Sequence, residues 1–385
     1  MPPEDHGTGA VAEVGMTLAE VPTPALVIDL DQMDRNLASW QAEVRRRGKQ
    51  FRPHIKTHKT PEIALRQEAL GACGIATAKP SEAEVFFQAG CRDIVVAYPS
   101  VGIDKWARLA RLAREARVTA NVDSEIQARG LSAAASAAGS TIHAQIEIDT
   151  GMHRVGLDQL AYAEIAAFAR LLSSLPGIEL DGITTHRGKF DDRLAKMTND
   201  EAGQEEGQIL VDLAERLRAD GIPVDQVTAG GTITGRGVAL VDGITEVRAG
   251  TYVFYDAMQV AFGSCTTDDV AVSVLTTVVS TRRDGWATVD GGSKTFSGDR
   301  AVVGAAMPGG SIVANGIDID ANVMRITEEH GMVSLGDGVS VEIGERLRFM
   351  PFHVCTAVNL SNELIAVRGD VVEHVWPVHA RGCRT

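Results

Sequence analysis

Phe51-Arg52-Pro53-His54-Ile55-Lys56-Thr57-His58-Lys59 reads first as a strand and then as a turn. Pro53 excludes helix and pushes Arg52 towards an extended backbone. Phe51 and Ile55 supply apolar faces, and Thr60-Pro61 then opens the periodic run PEIALRQEAL. Pro61 suits the first helical position, where its missing N–H costs nothing. A lysine that ends a buried strand beside two histidines sits in a low-dielectric, partly basic setting. Such a setting lowers its pKa and frees the amine as a nucleophile. Composition alone reads the same stretch as a loop of surface lysines.

Outward from this segment an alternation sets in. Apolar segments near 51–56, 74–79, 94–99, 117–122, 142–149, 180–187, 226–231 and 247–254 are separated by helical patterns such as SEAEVFFQAG, DKWARLARLARE and NDEAGQEEGQILVDLAERLRADG. This is an α/β pattern that fits a (β/α)8 TIM-type barrel or an open doubly wound sheet, since periodicity does not show closure. Upstream, TPALVIDL is a short apolar strand, and Asp31 is placed to cap an amphipathic helix reaching about Arg47. After Asp256 the runs VAVSVLTTVVSTRR, WATVDGG, VSVEIGERLRFM and VVEHVWPV are β-rich and punctuated by turns. The expected layout is a flexible tail over residues 1–20, a barrel unit over 21–256 whose first strand can join the second unit, and a β-rich C-terminal domain over 257–385.

Bulk properties narrow the function. A net charge of −14 argues against a nucleic-acid or anionic-membrane partner. No run approaches the ~20 apolar residues of a membrane span. The first twenty residues are acidic without an apolar core, so they do not read as a secretory signal. Cys73, Cys91, Cys265, Cys355 and Cys383 are odd in number and lack a disulfide-framework spacing, which fits a reducing cytoplasm.

The motif RPHIKTHK resembles the cofactor-lysine segment of the D-threonine aldolase and D-serine dehydratase family, pyridoxal-phosphate enzymes on the alanine-racemase type of barrel. The likeness runs from TPALVIDLD to the end of the chain. It implies the closed barrel and places the cofactor-bearing lysine on Lys56, not Lys59. Asp149-Thr150-Gly151-Met152-His153-Arg154-Val155-Gly156 resembles the segment whose arginine lies at the pyridoxal ring, which falls on Arg154. Val227-Thr228-Ala229-Gly230-Gly231-Thr232 is a strand running into two glycines, whose bare backbone lets N–H groups point at an anion. It resembles the family's phosphate loop, placing phosphate contacts on Gly230, Gly231 and Thr232. Tyr252 resembles a tyrosine that also holds the phosphate; Tyr255 is the other choice, and both read equally well as core aromatics. His186, in Thr185-His186-Arg187-Gly188-Lys189, either faces the cofactor or bonds a neighbouring loop. Aldolases of the family carry a further histidine just after this segment, where this chain has Lys189-Phe190-Asp191-Asp192.

Met350-Pro351-Phe352-His353-Val354-Cys355-Thr356 places His353 and Cys355 two apart, on one face if the segment is an extended strand. Imidazole and thiolate together suit zinc, with manganese or magnesium as alternatives, although a buried strand cysteine is more often a small hydrophobe. The resemblance favours a metal pair, His and Cys being the dehydratase branch's choice where several aldolases carry His and Asp. It implies a lyase acting on a small D-β-hydroxy amino acid. The expected reaction is retro-aldol cleavage to glycine and an aldehyde, or alternatively dehydration to a keto acid and ammonia. A racemase needs a second base opposite the lysine, and no tyrosine follows Tyr255. Pyridoxal-phosphate carriers without turnover usually lack a β domain. The resemblance further implies a homodimer in which the partner's β domain completes the site.

Overall fold

The computed structural model describes residues 11–189, 191–299 and 312–385. Eight parallel strands are hydrogen-bonded in the order Gln50–Pro53, Glu246–Ala249, Gln226–Ala229, Ile178–Thr184, Ile142–Asp149, Arg117–Val122, Asp93–Val96 and Ile75–Thr77. A parallel bridge between His54 and Ala76, with the Ile55 N–H donating to the Ala76 carbonyl at 2.8 Å, joins the last strand to the first. The sheet is therefore the closed (β/α)8 barrel.

Why these short segments form a barrel follows from their alternation. Residues such as Phe51, Val247, Ile183, Ile146 and Ile94 turn outward and are buried under the helices. The alternate residues point inward, and many are polar. Arg52 bonds Glu246 at 2.8 Å and Asp93 at 2.7 Å, and one layer higher Arg248 donates to the Thr184 hydroxyl at 2.7 Å. These inward cations thus find partners, as burial demands. That upper layer is the floor of the functional site.

The second sheet has the strand order Trp286–Val289, Gly331–Leu335, Ala321–Ile326, Ala314–Gly316, Arg346–Pro351, Val272–Arg283, Ala25–Asp29, Glu363–Arg368 and Val371–Pro377. Trp286–Val289 also pairs with Val272–Arg283, so six antiparallel strands close on themselves. The first strand of the chain, Ala25–Asp29, belongs to this sheet, running antiparallel to Val272–Arg283 and parallel to Glu363–Arg368. The chain then crosses to the barrel through the helix Leu30–Arg46. Its cap is Asp29, which accepts the Gln32 N–H at 2.9 Å, rather than Asp31.

Of the expected loose tail, residues 1–10 lie outside the described residues. Residues 11–20 are not loose. Ala12 and Val21 pack with Val27, Leu275 and Val372, and the Gly15 and Leu18 N–H groups donate to Val372 and Asp370 carbonyls. The acidic composition concealed the buried Ala12 and the partly buried Met16 and Leu18 that pack on the same cluster. No helix among the described residues is long and apolar enough to cross a membrane.

Candidate active site

In a barrel of this kind, functional groups collect at the C-terminal ends of the strands. A cavity of about 380 Å³ lies there, closed on one side by the β domain and of a size small ligands fill. Lys56, Arg154, His186, Gly230, Gly231, Thr232, His353 and Cys355 all line it.

Lys56 follows the first barrel strand and is presented by the turn that the proline segment initiates. Burial holds its amine below the usual lysine range, and the Arg154 and Arg248 cations push the same way. Its own N–H donates to His54 Nδ1 at 3.3 Å. Lys59, one turn on, lies elsewhere: its ammonium bonds Glu82 at 2.6 Å in a buried pair and does not reach the cavity.

His186 satisfies both sequence readings together. It lines the cavity, and its Nδ1 lies 3.0 Å from the Gly230 carbonyl. A carbonyl only accepts, so Nδ1 carries the proton and Nε2 keeps its lone pair. Burial, then Lys56 and Arg154, push the imidazole down to about 3, so the ring is neutral. Arg154 sits exposed at the rim, without a hydrogen bond or ion pair among the described residues.

The glycine loop is a cradle with one correction. Gly230 takes φ +102 and sends its N–H to Glu206 at 3.3 Å, away from the cavity, so it shapes the turn and offers no amide to an anion. The N–H groups of Gly231, Thr232, Gly250 and Thr251, at the ends of the seventh and eighth strands, have no partner among the described residues. Unpaired backbone donors facing a cavity are what a bound phosphate satisfies.

Tyr252 does not reach this cradle, contrary to the expectation. It is 1 % exposed, its ring packs 5.3 Å from Trp40 and 5.2 Å from Phe51, and its hydroxyl accepts from Gln67 Nε2 at 2.8 Å. Residues 251–253 form a short 3-10 turn that directs the ring into the helix–barrel core. Only its backbone N–H takes part, donating to the Thr232 hydroxyl at 3.2 Å. Tyr255 is likewise in the core, accepting from Trp40 Nε1 at 2.7 Å.

His353 and Cys355 converge, but not along a strand. The strand ends at Pro351, His353 is the cap of the helix Val354–Leu360, and Cys355 lies in its first turn. Asp256, wholly buried, anchors this turn by accepting the Val354 N–H at 2.9 Å and the Gln259 N–H at 2.9 Å. His353 Nδ1 bonds Asp299 at 2.9 Å, which leaves Nε2 for the cavity. Burial opposes charge on this ring, yet Cys355 and Asp299 raise it to about 11. Burial likewise opposes the Cys355 thiolate, and His353 and Lys56 outweigh it and draw the thiol down. A soft anionic sulfur beside an imidazole held by a carboxylate is the donor set of a zinc-like site with open positions.

Both metal candidates lie in the same chain as Lys56, with Cys355 Sγ 3.4 Å from the Thr57 hydroxyl. The expectation that a partner's β domain supplies them is corrected. A second acidic cluster at the opposite end of the barrel, His143, Glu179 and Asp181, is not a rival metal site. His143 Nδ1 bonds Asp181 at 2.8 Å and Nε2 faces the Arg117 guanidinium at 3.1 Å, so neither nitrogen is free.

Sequence reasoning assigned no role to His54, Glu147 or Arg248, which also line the cavity, nor to Asp299. His54 was visible in the opening motif, and Arg248 lies near the start of the apolar segment 247–254. Asp299 carried no local signal.

A sequence model of the alanine racemase N-terminal domain matches residues 28–257, and one of the serine dehydratase domain matches residues 271–367. A D-threonine aldolase from Arthrobacter sp is 35% identical over 380 residues, 96% of each chain. A D-threo-3-hydroxyaspartate dehydratase from Delftia sp. (strain HT23) is 36% identical over 375 residues, 94% of this chain and 98% of that one. The crystal structure of D-threonine aldolase from Filomicrobium marinum superposes with a TM-score of 0.86 at 31% identity, covering 98% of this chain and 100% of the other.

Proposed function

The chain belongs to the D-threonine aldolase and D-serine dehydratase family of pyridoxal-phosphate enzymes on the alanine-racemase-type barrel, and we propose that it is a metal-assisted lyase cleaving a D-β-hydroxy amino acid to glycine and an aldehyde. The observation that carries this reading is the meeting of Lys56 with the His353–Cys355 pair on one cavity, in a chain matched end to end by D-threonine aldolase.

Lys56 would carry the cofactor, the amides of Gly231, Thr232, Gly250 and Thr251 would hold its phosphate, and His353 with Cys355 would hold a divalent ion, zinc by donor chemistry. When bound, the cofactor withdraws charge from Cα and the ion acidifies the substrate's β-hydroxyl. The protein's own part is positional. Arg154, at the cavity rim without a partner among the described residues, would be the cation available to the cofactor's ring, and Asp299 fixes the His353 ring through Nδ1. His186 is held neutral with Nε2 unpaired, an acceptor for the β-hydroxyl proton. Lys189 follows Gly188 directly, where aldolases of the family carry a histidine, so we assign His186 the place in the scheme that the second histidine fills there.

Dehydration to a keto acid and ammonia is the second reading. A thiolate at Cys355, where several aldolases of the family place a carboxylate, favours it, as does the likeness to a dehydratase. A homodimer in the cytoplasm completes the proposal. Tyr98, Val101, Ile103, Ile126 and Leu160 are exposed apolar residues on loops and helix starts at the cavity's end of the barrel, a surface suited to self-association.

Incubation of the purified protein with α-deuterated D-threonine and with D-serine tests the choice. Cleavage yields acetaldehyde and glycine without breaking the Cα–H bond. A large primary isotope effect with ammonia release assigns dehydration instead.

A further inference from the structure

The long helix Asn199–Ala219 carries Gly203 and Gly207 one turn apart on the face that meets the barrel top. A Cβ on Gly203 would lie 2.1 Å from the Thr234 carbonyl oxygen, and one on Gly207 would lie 3.0 Å from Val241. Gly237, on the facing helix, would place a Cβ 2.3 Å from the Asp200 carbonyl. Backbone thus meets backbone, and Glu206, between the two glycines on the same face, is carried directly beneath the glycine loop with 0% exposure.

There Glu206 Oε1 accepts two backbone N–H groups, from Arg187 at 3.1 Å and from Gly230 at 3.3 Å. It does not pair with the Arg187 side chain, which goes to Glu205 at 2.8 Å and to the Ala202 carbonyl at 2.6 Å. A buried carboxyl without a cation is costly to keep. Its two acceptor bonds instead tie the residue after His186 to the residue whose carbonyl receives the His186 Nδ1–H at 3.0 Å. The bonds form a closed circuit from Glu206 through Arg187, His186 and Gly230 back to Glu206. The His186 ring inside it lies hard against the turn, since a Cβ on Gly231 would sit 2.7 Å from its Cε1.

We propose that Glu206 is a positioning residue that sets the pose and tautomer of His186 and aims the Gly231 and Thr232 amides into the cavity. Its consequence for catalysis rests on the function proposed above; its effect on His186 does not. Without the Glu206 acceptor, the Arg187 and Gly230 amides lose their shared anchor, and His186 and the phosphate cradle move independently.

The test compares Glu206→Gln, Glu206→Asp and Glu206→Ala in the full chain. Nitrogen NMR of the His186 ring in cofactor-free protein, identified against His186→Asn, reads the tautomer. Absorbance titration with pyridoxal phosphate reads its affinity. Gln keeps an oxygen at the same reach, so it should retain the Nδ1–H tautomer and wild-type affinity. Asp keeps the carboxyl group but withdraws the oxygen, so it should show mixed tautomers and an affinity about tenfold weaker, the scale of two lost hydrogen bonds. Ala should match Asp where it folds. A ranking with Asp better than Gln, or unchanged tautomer and affinity in Asp, overturns the proposal. A protein that binds no pyridoxal phosphate at all overturns the cofactor reading, while the tautomer measurement still decides the role of Glu206.

Discussion

Cys355 Sγ lies 3.4 Å from the Thr57 hydroxyl, within hydrogen-bond reach, bringing together residues 298 positions apart in one chain. Thr57 is the neighbour of Lys56, so the candidate metal pair and the candidate cofactor lysine share a cavity without a second subunit. Mixing Lys56→Ala chains with His353→Ala chains should therefore restore no activity beyond that of the separate variants. Recovery in mixed samples would mean that the partner's β domain, not the chain's own, closes the working site.

The two lysines of the opening motif should separate cleanly. Lys56→Ala should abolish the visible absorbance of bound cofactor with little change in thermal stability. Lys59→Ala should keep the absorbance and lose about 3 kcal/mol of stability, because Glu82, 1 % exposed, is left without its cation. Thermal melts of both cofactor-free variants, beside spectra of the loaded ones, check the pair.

Tyr252→Phe tests the core assignment. Loss of the hydroxyl strands Gln67 Nε2 in a buried setting and should cost about 1–3 kcal/mol. Affinity for pyridoxal phosphate should not change. A weakened affinity at unchanged stability would return Tyr252 to the phosphate site.

These cases mark what sequence could convey. Period and punctuation suggested eight strand–helix units, and the resemblance of motifs at strand ends to a known family pointed to Lys56, His186 and the glycine loop. Direction was harder to read. Tyr252 and Gly230 lie inside the right segments, but a 3-10 turn and a positive φ aim them away from the cavity, and neither turn is encoded by composition. The His353–Cys355 spacing suggested a shared face for the wrong reason: a helix cap, not a strand, brings the two side chains together. Asp299 and Glu206 reach their partners from 54 and 24 residues away in sequence, a distance that no local pattern spans.

Acid stability follows from the buried histidines. His186 and His58 are each pushed down to about 3 by burial, against an ordinary value of 6.5, and His54 is lowered too. The unfolded chain binds protons at these sites below 6.5 while the folded chain does not, so stability rises with pH across that window and is full above it. Each histidine contributes a slope of about 1.4 kcal/mol per pH unit. Denaturant titrations of cofactor-free His186→Asn between pH 4 and 7, about the range the ordinary histidine value sets, should show a slope shallower by one proton. An unchanged slope would place His186 in a solvated, ordinary setting.

Metal and cofactor should come apart under chelation. A strong chelator should stop turnover and leave the cofactor's visible absorbance intact, because on the proposed assignment Lys56 and the loop amides would hold the cofactor without His353 or Cys355. Cys355→Asp replaces a soft thiolate with a hard oxygen donor. Metal analysis of that variant should show zinc giving way to manganese or magnesium, while its cofactor content stays the same. His353 would remain fixed by Asp299 in either case, so His353→Ala should remove metal binding altogether. Asp299→Asn should weaken metal binding by about tenfold or more, the usual cost of a lost outer partner. Full turnover in the presence of chelator, with no metal retained, would strip the His353–Cys355 pair of its role and leave the reaction to the groups around Lys56.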